Sequence, residues 1–255
     1  MSRSITDLPW FETFNECVRE NFVRSSILER SEKEEAQDLG VKLFRCAEGE
    51  IICNSAACKV CNHRYRVERI DNLVRKIKRT RMCCKVLTVI DYSRSVRRED
   101  LCDDITKKAK ARWAQTLRRA RVKGPVFGAV ELDFHEECSM WLLHIHFIYA
   151  DTEHNRIAIK EFRKRIGKQQ KLHIKENRRV KPTMRKKMRN PYRQVSYIYK
   201  LCSFRVIDYY DKKYKKNRTK KFRLNKPETI DILCFMDRVK RQAFLFRYED
   251  SAFRD

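Results

Sequence analysis

Glycine and proline are scarce in this chain, five of each among 255 residues, which excludes collagen-like and low-complexity material. No apolar run approaches the roughly 18 residues of a membrane span. The most apolar stretch, residues 141–150, is interrupted by His144 and His146. The opening residues, Met-Ser-Arg-Ser-Ile-Thr-Asp-Leu-Pro, hold no apolar leader core. Export is therefore not expected, and a cytoplasmic protein with no membrane partner is. Acidic residues are also few, 34 against 60 Lys+Arg, for a formal charge of +26. What is plentiful is apolar residue, at 42%, with 14 Phe, 10 Tyr and 3 Trp, too much for a disordered basic tail. Eleven cysteines in a chain without a leader point to a reducing compartment and metal thiolates rather than disulfides.

The positive charge is concentrated. Residues 156–223 hold 26 basic and 4 acidic side chains, a balance of +22, whereas residues 1–50 hold 7 and 11, or −4. A fold bears such self-repulsion most readily with a polyanionic partner. Aromatics interleaved with the charges, and the lack within that block of a long amphipathic helix with a continuous apolar face, favour nucleic acid over an anionic membrane.

Hydrophobic periodicity predicts acidic helices within 8–38 and a helix over 62–81, where Val67, Ile70, Val74 and Ile77 recur at helical spacing. It predicts a strand at 85–91 and an amphipathic helix over 98–122. Two strands follow, at 126–134 and 140–150, joined by the polar connection 135–139. Ile159, Phe162 and Ile166 mark a further helix, and 168–189 reads as a basic loop or short strand. Asn190-Pro191 starts a helix to about Cys202, with Asn as cap and Pro in the first turn. A strand at 204–209 and a closing helix at 227–241 complete an α+β fold with a largely antiparallel sheet. The expected segments are a helical extension (1–45), a Cys-rich stretch with its helix (46–81), a core domain (82–210), and a basic loop with a C-terminal helix (211–255).

The sharpest motif is Leu143-His144-Ile145-His146-Phe147. Alternation along a strand puts both imidazoles on one face and the apolar residues on the other. In the preceding strand Glu131 falls on the polar face, and a turn centred between Glu136 and Cys138 pairs it near His144. Two His and a carboxylate suit Mg²⁺ or Mn²⁺ with open positions for phosphate and water; Zn²⁺ also fits that set. Asp133 is the reserve ligand. On the capped helix, Tyr197 and Lys200 are three residues apart and share a face. A phenol titrates near pH 10, so attack on phosphate needs a neighbouring cation or a metal-activated electrophile. Taken singly, each motif also fits a plain role: histidines on a polar sheet face, a solvated acid, a packed tyrosine.

Cys46, Cys53, Cys58 and Cys61 give four thiolates ahead of a basic helix. Cys58-Lys-Val-Cys61 forms the tight knuckle of a tetrahedral, structural Zn²⁺ site, in which His63 could stand in for Cys46. Cys17, Cys83, Cys84, Cys102, Cys138, Cys202 and Cys234 read as small core residues. Arg64, Arg66 and Arg69 on the following helix are candidate DNA contacts, as are Lys164, Arg185, Lys186, Lys187, Arg189 and Arg193.

In this order (Cys cluster, Glu131, His144-Ile145-His146, Tyr197-x-x-Lys200) the chain resembles the HUH endonucleases, in particular plasmid rolling-circle replication initiators with one catalytic tyrosine. The resemblance covers roughly residues 46–204. It implies a ferredoxin-like antiparallel sheet flanked by helices, with the metal held on central strands. It also implies a tyrosine that cleaves single-stranded or hairpin origin DNA, stays linked to the 5′ phosphate and leaves a 3′ hydroxyl as primer. Host helicase and polymerase would be partners. A single-strand transposase or a mobilisation relaxase shares this chemistry, and a non-catalytic zinc-finger nucleic-acid-binding protein is the alternative of another class. Several such initiators carry a glutamate one turn before the tyrosine; here Arg193 and Gln194 occupy that turn, and Tyr199 and Tyr192 are further phenols.

Overall fold

Helix starts in this chain are written by short polar side chains. The Thr13 hydroxyl accepts a hydrogen bond from the Glu16 amide while the Glu16 carboxylate accepts from the Thr13 amide, and α1 (Phe14–Glu29) follows. In the computed structural model, which describes residues 4–81, 83–171 and 182–249, the architecture is α+β. The chain groups into two units, each drawn from separated stretches rather than from consecutive segments.

The first unit takes the chain up to Lys78, then Asn190–Leu201 and Asn225–Ala243. Besides α1 it contains α2 (Glu34–Ala47), α3 (Lys59–Arg79, apart from its last residue), α6 (Pro191–Ile198) and α7 (Lys226–Val239). α1 packs on α2 through small and polar residues: Ser25 donates to the Gly40 carbonyl at 2.9 Å and Asn21 to the Leu43 carbonyl at 3.0 Å. Ile70, Leu73, Val74 and Ile77 of α3 are buried, at the expected helical spacing apart from Val67, which is only half-buried. Asn190 caps α6, with Pro191 in its first turn. α6 ends at Ile198 rather than near Cys202, and Leu201 then adopts φ 45°. In α7 the run Ile232–Met236 is buried.

The second unit takes the remaining stretches. It contains β1 (Cys84–Arg97), α4 (Ile105–Arg119), β2 (Val126–His135), β3 (Met140–Ala150), α5 (Glu153–Lys171), β4 (Thr183–Lys187), β5 (Arg205–Asp211), β6 (Lys216–Phe222) and β7 (Leu245–Tyr248). The strands form one mixed sheet in the order β4-β1-β3-β2-β5-β6. β7 pairs with the first half of β2 and β5 with its end, so two short strands share one edge. Among the described residues only the β2–β5 pairing is parallel. One face of β3 is apolar and lies under the helices: Phe147 meets Trp113 of α4 and Phe162 of α5 edge-on, at centroid distances of 6.4 and 6.0 Å.

Several expectations change. The helix expected from residue 98 begins at Ile105, because β1 runs on to Arg97 and 98–104 is a bend and turns. β1 extends beyond 91 through an irregularity between Asp91 and Val96. The expected basic loop after 210 is the second strand of a hairpin, β6, and β7 was not expected at all. Of the basic stretch 168–189, residues 172–181 lie outside the described residues, and Thr183–Lys187 is a strand.

Candidate metal centres and tyrosine helix

Cys46 sits in the last turn of α2, Cys53 in the loop beyond, Cys58 directly before α3 and Cys61 in its first turn. Their sulfurs converge: Cys46–Cys61 is 3.6 Å, Cys53–Cys61 3.7 Å and Cys46–Cys58 3.6 Å. A tetrahedral Zn²⁺ with metal–sulfur bonds of about 2.3 Å has sulfur–sulfur edges of about 3.8 Å. The donor set therefore fits, and the cluster could hold a metal such as zinc. The Cys61 amide and Asn21 Nδ2 both donate to Cys58 Sγ at 3.3 Å, the bonds a thiolate would accept. Hydrogen bonds from Cys53 and Cys58 hold the Cys61 thiol well below its ordinary value. His63 does not replace Cys46: its ring packs against Phe11 and Phe14, with Nε2 3.1 Å from the Glu12 carbonyl. The core reading of the other cysteines holds for Cys17, Cys84 and Cys234. Cys83, Cys102 and Cys138 are instead exposed and Cys202 half-buried, since they fall in turns and ends rather than inside elements.

On the sheet of the second unit, Glu131 stands directly opposite His144 in the β2–β3 register, and Ala129 opposite His146. Both histidines are buried on the face away from Phe147. Each imidazole has its own carboxylate. His144 Nδ1 is 3.3 Å from Asp133 Oδ2, and His146 Nε2 is 3.4 Å from Glu131 Oε2. Asp133, the expected reserve ligand, also accepts from the Phe204 amide at 2.9 Å and from Lys221 Nζ at 2.6 Å, so it orients its neighbours. Burial pushes the His144 imidazole down to about 4, leaving it neutral, the form that binds metal, at pH 7. Among the described residues only the four cysteines bring their ligand atoms all within 4.8 Å of one another. Glu131, His144 and His146 share a face without closing to that range, but their nitrogen and oxygen donors match a divalent cation in type.

Two members of this face were not legible as such in the sequence. His135, expected in the polar connection, is the last residue of β2, and its Nε2 lies 3.3 Å from His144 Nε2. Extending the alternation Ala129, Glu131, Asp133 by one step would have found it. Lys221 of β6 reaches Asp133 and lies 3.9 Å from Glu131, a long-range contact with no sequence signal.

The tyrosines of α6 differ sharply in access. Tyr197 is 48% exposed and Tyr199 only 1%, so of the two it is Tyr197 that is open to solvent. Tyr192 is half-buried, with Lys78 Nζ 5.2 Å from its ring centre. Lys200 lies beyond the end of the helix instead of on its face, yet its Nζ sits 4.0 Å from the centre of the Tyr197 ring. Gln194 Oε1 accepts from the Asn190 amide at 3.1 Å, so the turn preceding Tyr197 is occupied by helix capping.

Of the expected DNA contacts, Arg64, Lys164, Arg185, Lys186, Lys187, Arg189 and Arg193 are exposed. Arg66 is not. It is 5% exposed, paired with Glu12, and donates to the Ser196 hydroxyl at 3.1 Å, tying α3 to α6. Its position on the buried face of α3 makes it a structural ion pair. Arg69 is half-buried, its guanidinium 5.8 Å from the Tyr199 ring centre. On the β5–β6 hairpin, Tyr209, Tyr210, Tyr214 and Phe222 are exposed among basic side chains, with Arg218 over Tyr214 at 4.1 Å. No family model, curated protein or solved structure matches the chain.

Proposed function

We propose that this protein is a metal-dependent nickase and strand transferase of single-stranded DNA, of the HUH type with its ferredoxin-like sheet, acting as the replication initiator of a small replicon. The observation that carries the reading is the buried sheet face on which Glu131 and His144 stand opposite each other beside His146, with His144 held neutral by burial. The exposed Tyr197 with the Lys200 ammonium against its ring supports it from the other unit.

In this reading Glu131, His144 and His146 would hold Mg²⁺ or Mn²⁺, which when bound would supply Lewis-acid polarisation of the scissile phosphate. Tyr197 Oη gives up its proton and attacks phosphorus; the new O–P bond forms as the bond to the 3′ oxygen breaks, and that oxygen leaves with the electron pair and takes up a proton from solvent, which balances the one the phenol released. Lys200 stabilises the charge that develops on the phenolic oxygen. The basic surface holds the phosphodiester backbone, and the cysteine cluster with zinc braces the start of α3. Host helicase and polymerase would extend the 3′ end. A transposase or relaxase role would use the same residues.

A denaturing-gel adduct assay tests the reading. Protein, Mn²⁺ and single-stranded DNA from its own replicon should give an SDS-stable adduct that EDTA abolishes and Tyr197→Phe lacks. Tight, salt-sensitive binding without any adduct would instead favour a zinc-finger nucleic-acid-binding protein, which the four-cysteine cluster also fits.

A further inference from the structure

The helix side of the sheet in the second unit has a chemistry of its own. α4 and α5 cover the face opposite the histidines, anchored there by Trp113 and Phe162 against Phe147. Their outer sides are basic. α4 carries six basic and no acidic residues and α5 seven and two, a balance of +11 over the two helices. Lys107, Arg118 and Arg119 of α4 and Lys160, Lys164 and Lys168 of α5 are all exposed. One of the two acids, Glu161, is matched by Arg165 at 2.9 Å.

Lys160, Lys164 and Lys168 step by four, so at a rise of about 1.5 Å per residue they form a row about 12 Å long on one side of α5. Duplex DNA carries about one charge per 1.7 Å of its axis, dense enough for every member of such a row to meet a phosphate. A lysine ammonium is a point charge, which answers to phosphate rather than to the edge of a base. The two helices offer nothing for a base to stack on, since their aromatic side chains, Trp113 and Phe162, are both buried. An unpaired strand is held by rings as well as by cations, and the exposed tyrosines suited to that lie on the β5–β6 hairpin instead. An anionic membrane would call for an apolar stripe along the helices. Among the described residues, Ile157 is the single large apolar side chain exposed on them.

We propose that the outer side of α4 and α5 binds the phosphate backbone of double-stranded DNA without reading its sequence, while unpaired bases go to the β5–β6 hairpin. The inference deepens the DNA-nicking reading above and rests on it for DNA as the partner. It gives the two faces of one sheet separate tasks, with the duplex held on the side away from the histidines.

Fluorescence anisotropy with the full-length, zinc-loaded chain tests it. The probes are a blunt duplex of arbitrary sequence and an oligothymidine strand of the same length, each followed across a salt series. The variants are the triple Lys160→Ala, Lys164→Ala, Lys168→Ala and the pair Tyr210→Ala, Tyr214→Ala, all checked for an intact melting transition. At about 0.15 M salt the triple variant should lose about a hundredfold in duplex affinity, and its slope of log affinity against log salt should fall by about 2–3 units. Its oligothymidine binding should change by no more than about threefold, and the tyrosine pair should show the reverse preference. Unchanged duplex binding in the triple variant, an equal loss on both probes, or tighter binding to phosphatidylserine vesicles than to duplex overturns the assignment. The Tyr197-dependent adduct is read separately. Adduct formation on single strands without duplex binding sinks this inference and leaves the nicking reading in place, and duplex binding as expected without any adduct does the converse.

Discussion

Gly128 of β2 runs so close to β3 that a Cβ placed on it would stand 1.8 Å from the carbonyl oxygen of His146. No side chain can be accepted there without moving the backbone that carries the histidines. The nearest obstacle is a peptide group locked in a ladder, not the flexible end of a side chain. Gly128→Ala should therefore destabilise the protein by about 1–3 kcal/mol, the usual range for overpacking. It should also weaken divalent-cation binding while leaving zinc content unchanged. Urea unfolding and a Mn²⁺ titration of the same preparation check both parts; an unchanged midpoint would mean that β2 and β3 can separate at low cost.

The Glu12–Arg66 pair gives a prediction with a pH sign. Burial alone would raise the Glu12 carboxyl, but the charges of Lys59 and Arg66 outweigh it, and the group sits below its ordinary value. A carboxylate depressed in the folded state contributes stability that is present above its unfolded pKa and disappears as pH falls through the folded one. Glu12→Gln should cost about 2 kcal/mol at pH 6. That is less than the ~3–5 kcal/mol of a fully buried pair, because the Glu12 side chain is 25% exposed. The gap between the two proteins should close as pH falls from the ordinary carboxylate range through the depressed value of the folded carboxyl, as measured by chemical denaturation at each pH. A gap that stays constant over that range would show that the carboxylate charge is not what matters.

How much of this could be read in advance depends on the distance over which each feature is encoded. The β2–β3 hairpin, the opposition of Glu131 and His144, and the Asn190-Pro191 helix start follow from alternation and capping within about a dozen residues, and they were legible. The Cys46, Cys53, Cys58 and Cys61 cluster was legible because thiolates at knuckle spacing have few other uses. The burial of Arg66 and the reach of Lys221 were not, because Glu12 and Asp133 lie 54 and 88 residues away in the chain. β6 was hidden for a different reason. Lys-Asn-Arg-Thr-Lys-Lys-Phe has no apolar alternation, and its pairing with β5 over Arg205–Asp211 supplies what its own side chains do not.

Asn21 links the cysteine cluster to the helices around it: it donates to Cys58 Sγ and to the Leu43 carbonyl, and accepts from the Lys59 amide at 2.9 Å. Purified protein is expected to carry one zinc per chain, releasable by thiol-reactive mercurials. Asn21→Ala should lower zinc affinity by about 10–100-fold, the usual effect of losing a hydrogen bond to a ligand. Competition with a chromophoric chelator measures it. Equal affinity in the two proteins would confine Asn21 to packing.

Lys221 shares Asp133 and Glu131 with any cation that binds the histidine face, its ammonium lying 2.6 and 3.9 Å from their oxygens. Removing it should act in opposite directions with and without metal. Metal-free Lys221→Met is expected to melt lower, because two buried carboxylates lose their counter-charge. Its Mn²⁺ affinity should rise by about tenfold, or about 1.4 kcal/mol. Calorimetric titration with parallel melting curves tests the pair of signs, and a fall in both quantities would mean that Lys221 is part of the cation site rather than its competitor.

In the proposed reading, the β5–β6 hairpin offers two separable contributions to nucleic-acid binding. Tyr210 and Tyr214 are 58% and 54% exposed, and Arg218 and Lys213 lie 4.1 and 5.6 Å from the Tyr214 ring centre. Aromatic faces held open by flanking cations suit stacked bases, whereas the cations themselves answer to phosphate. Tyr210→Ala and Tyr214→Ala should each weaken single-stranded DNA binding by about 1–3 kcal/mol without changing the slope of log affinity against log salt. Lys213→Ala and Arg218→Ala should instead reduce that slope by about one unit per charge removed. Fluorescence anisotropy at several salt concentrations distinguishes the two patterns. If the tyrosine variants flatten the slope as the lysine variant does, the rings serve to position the cations and take no base.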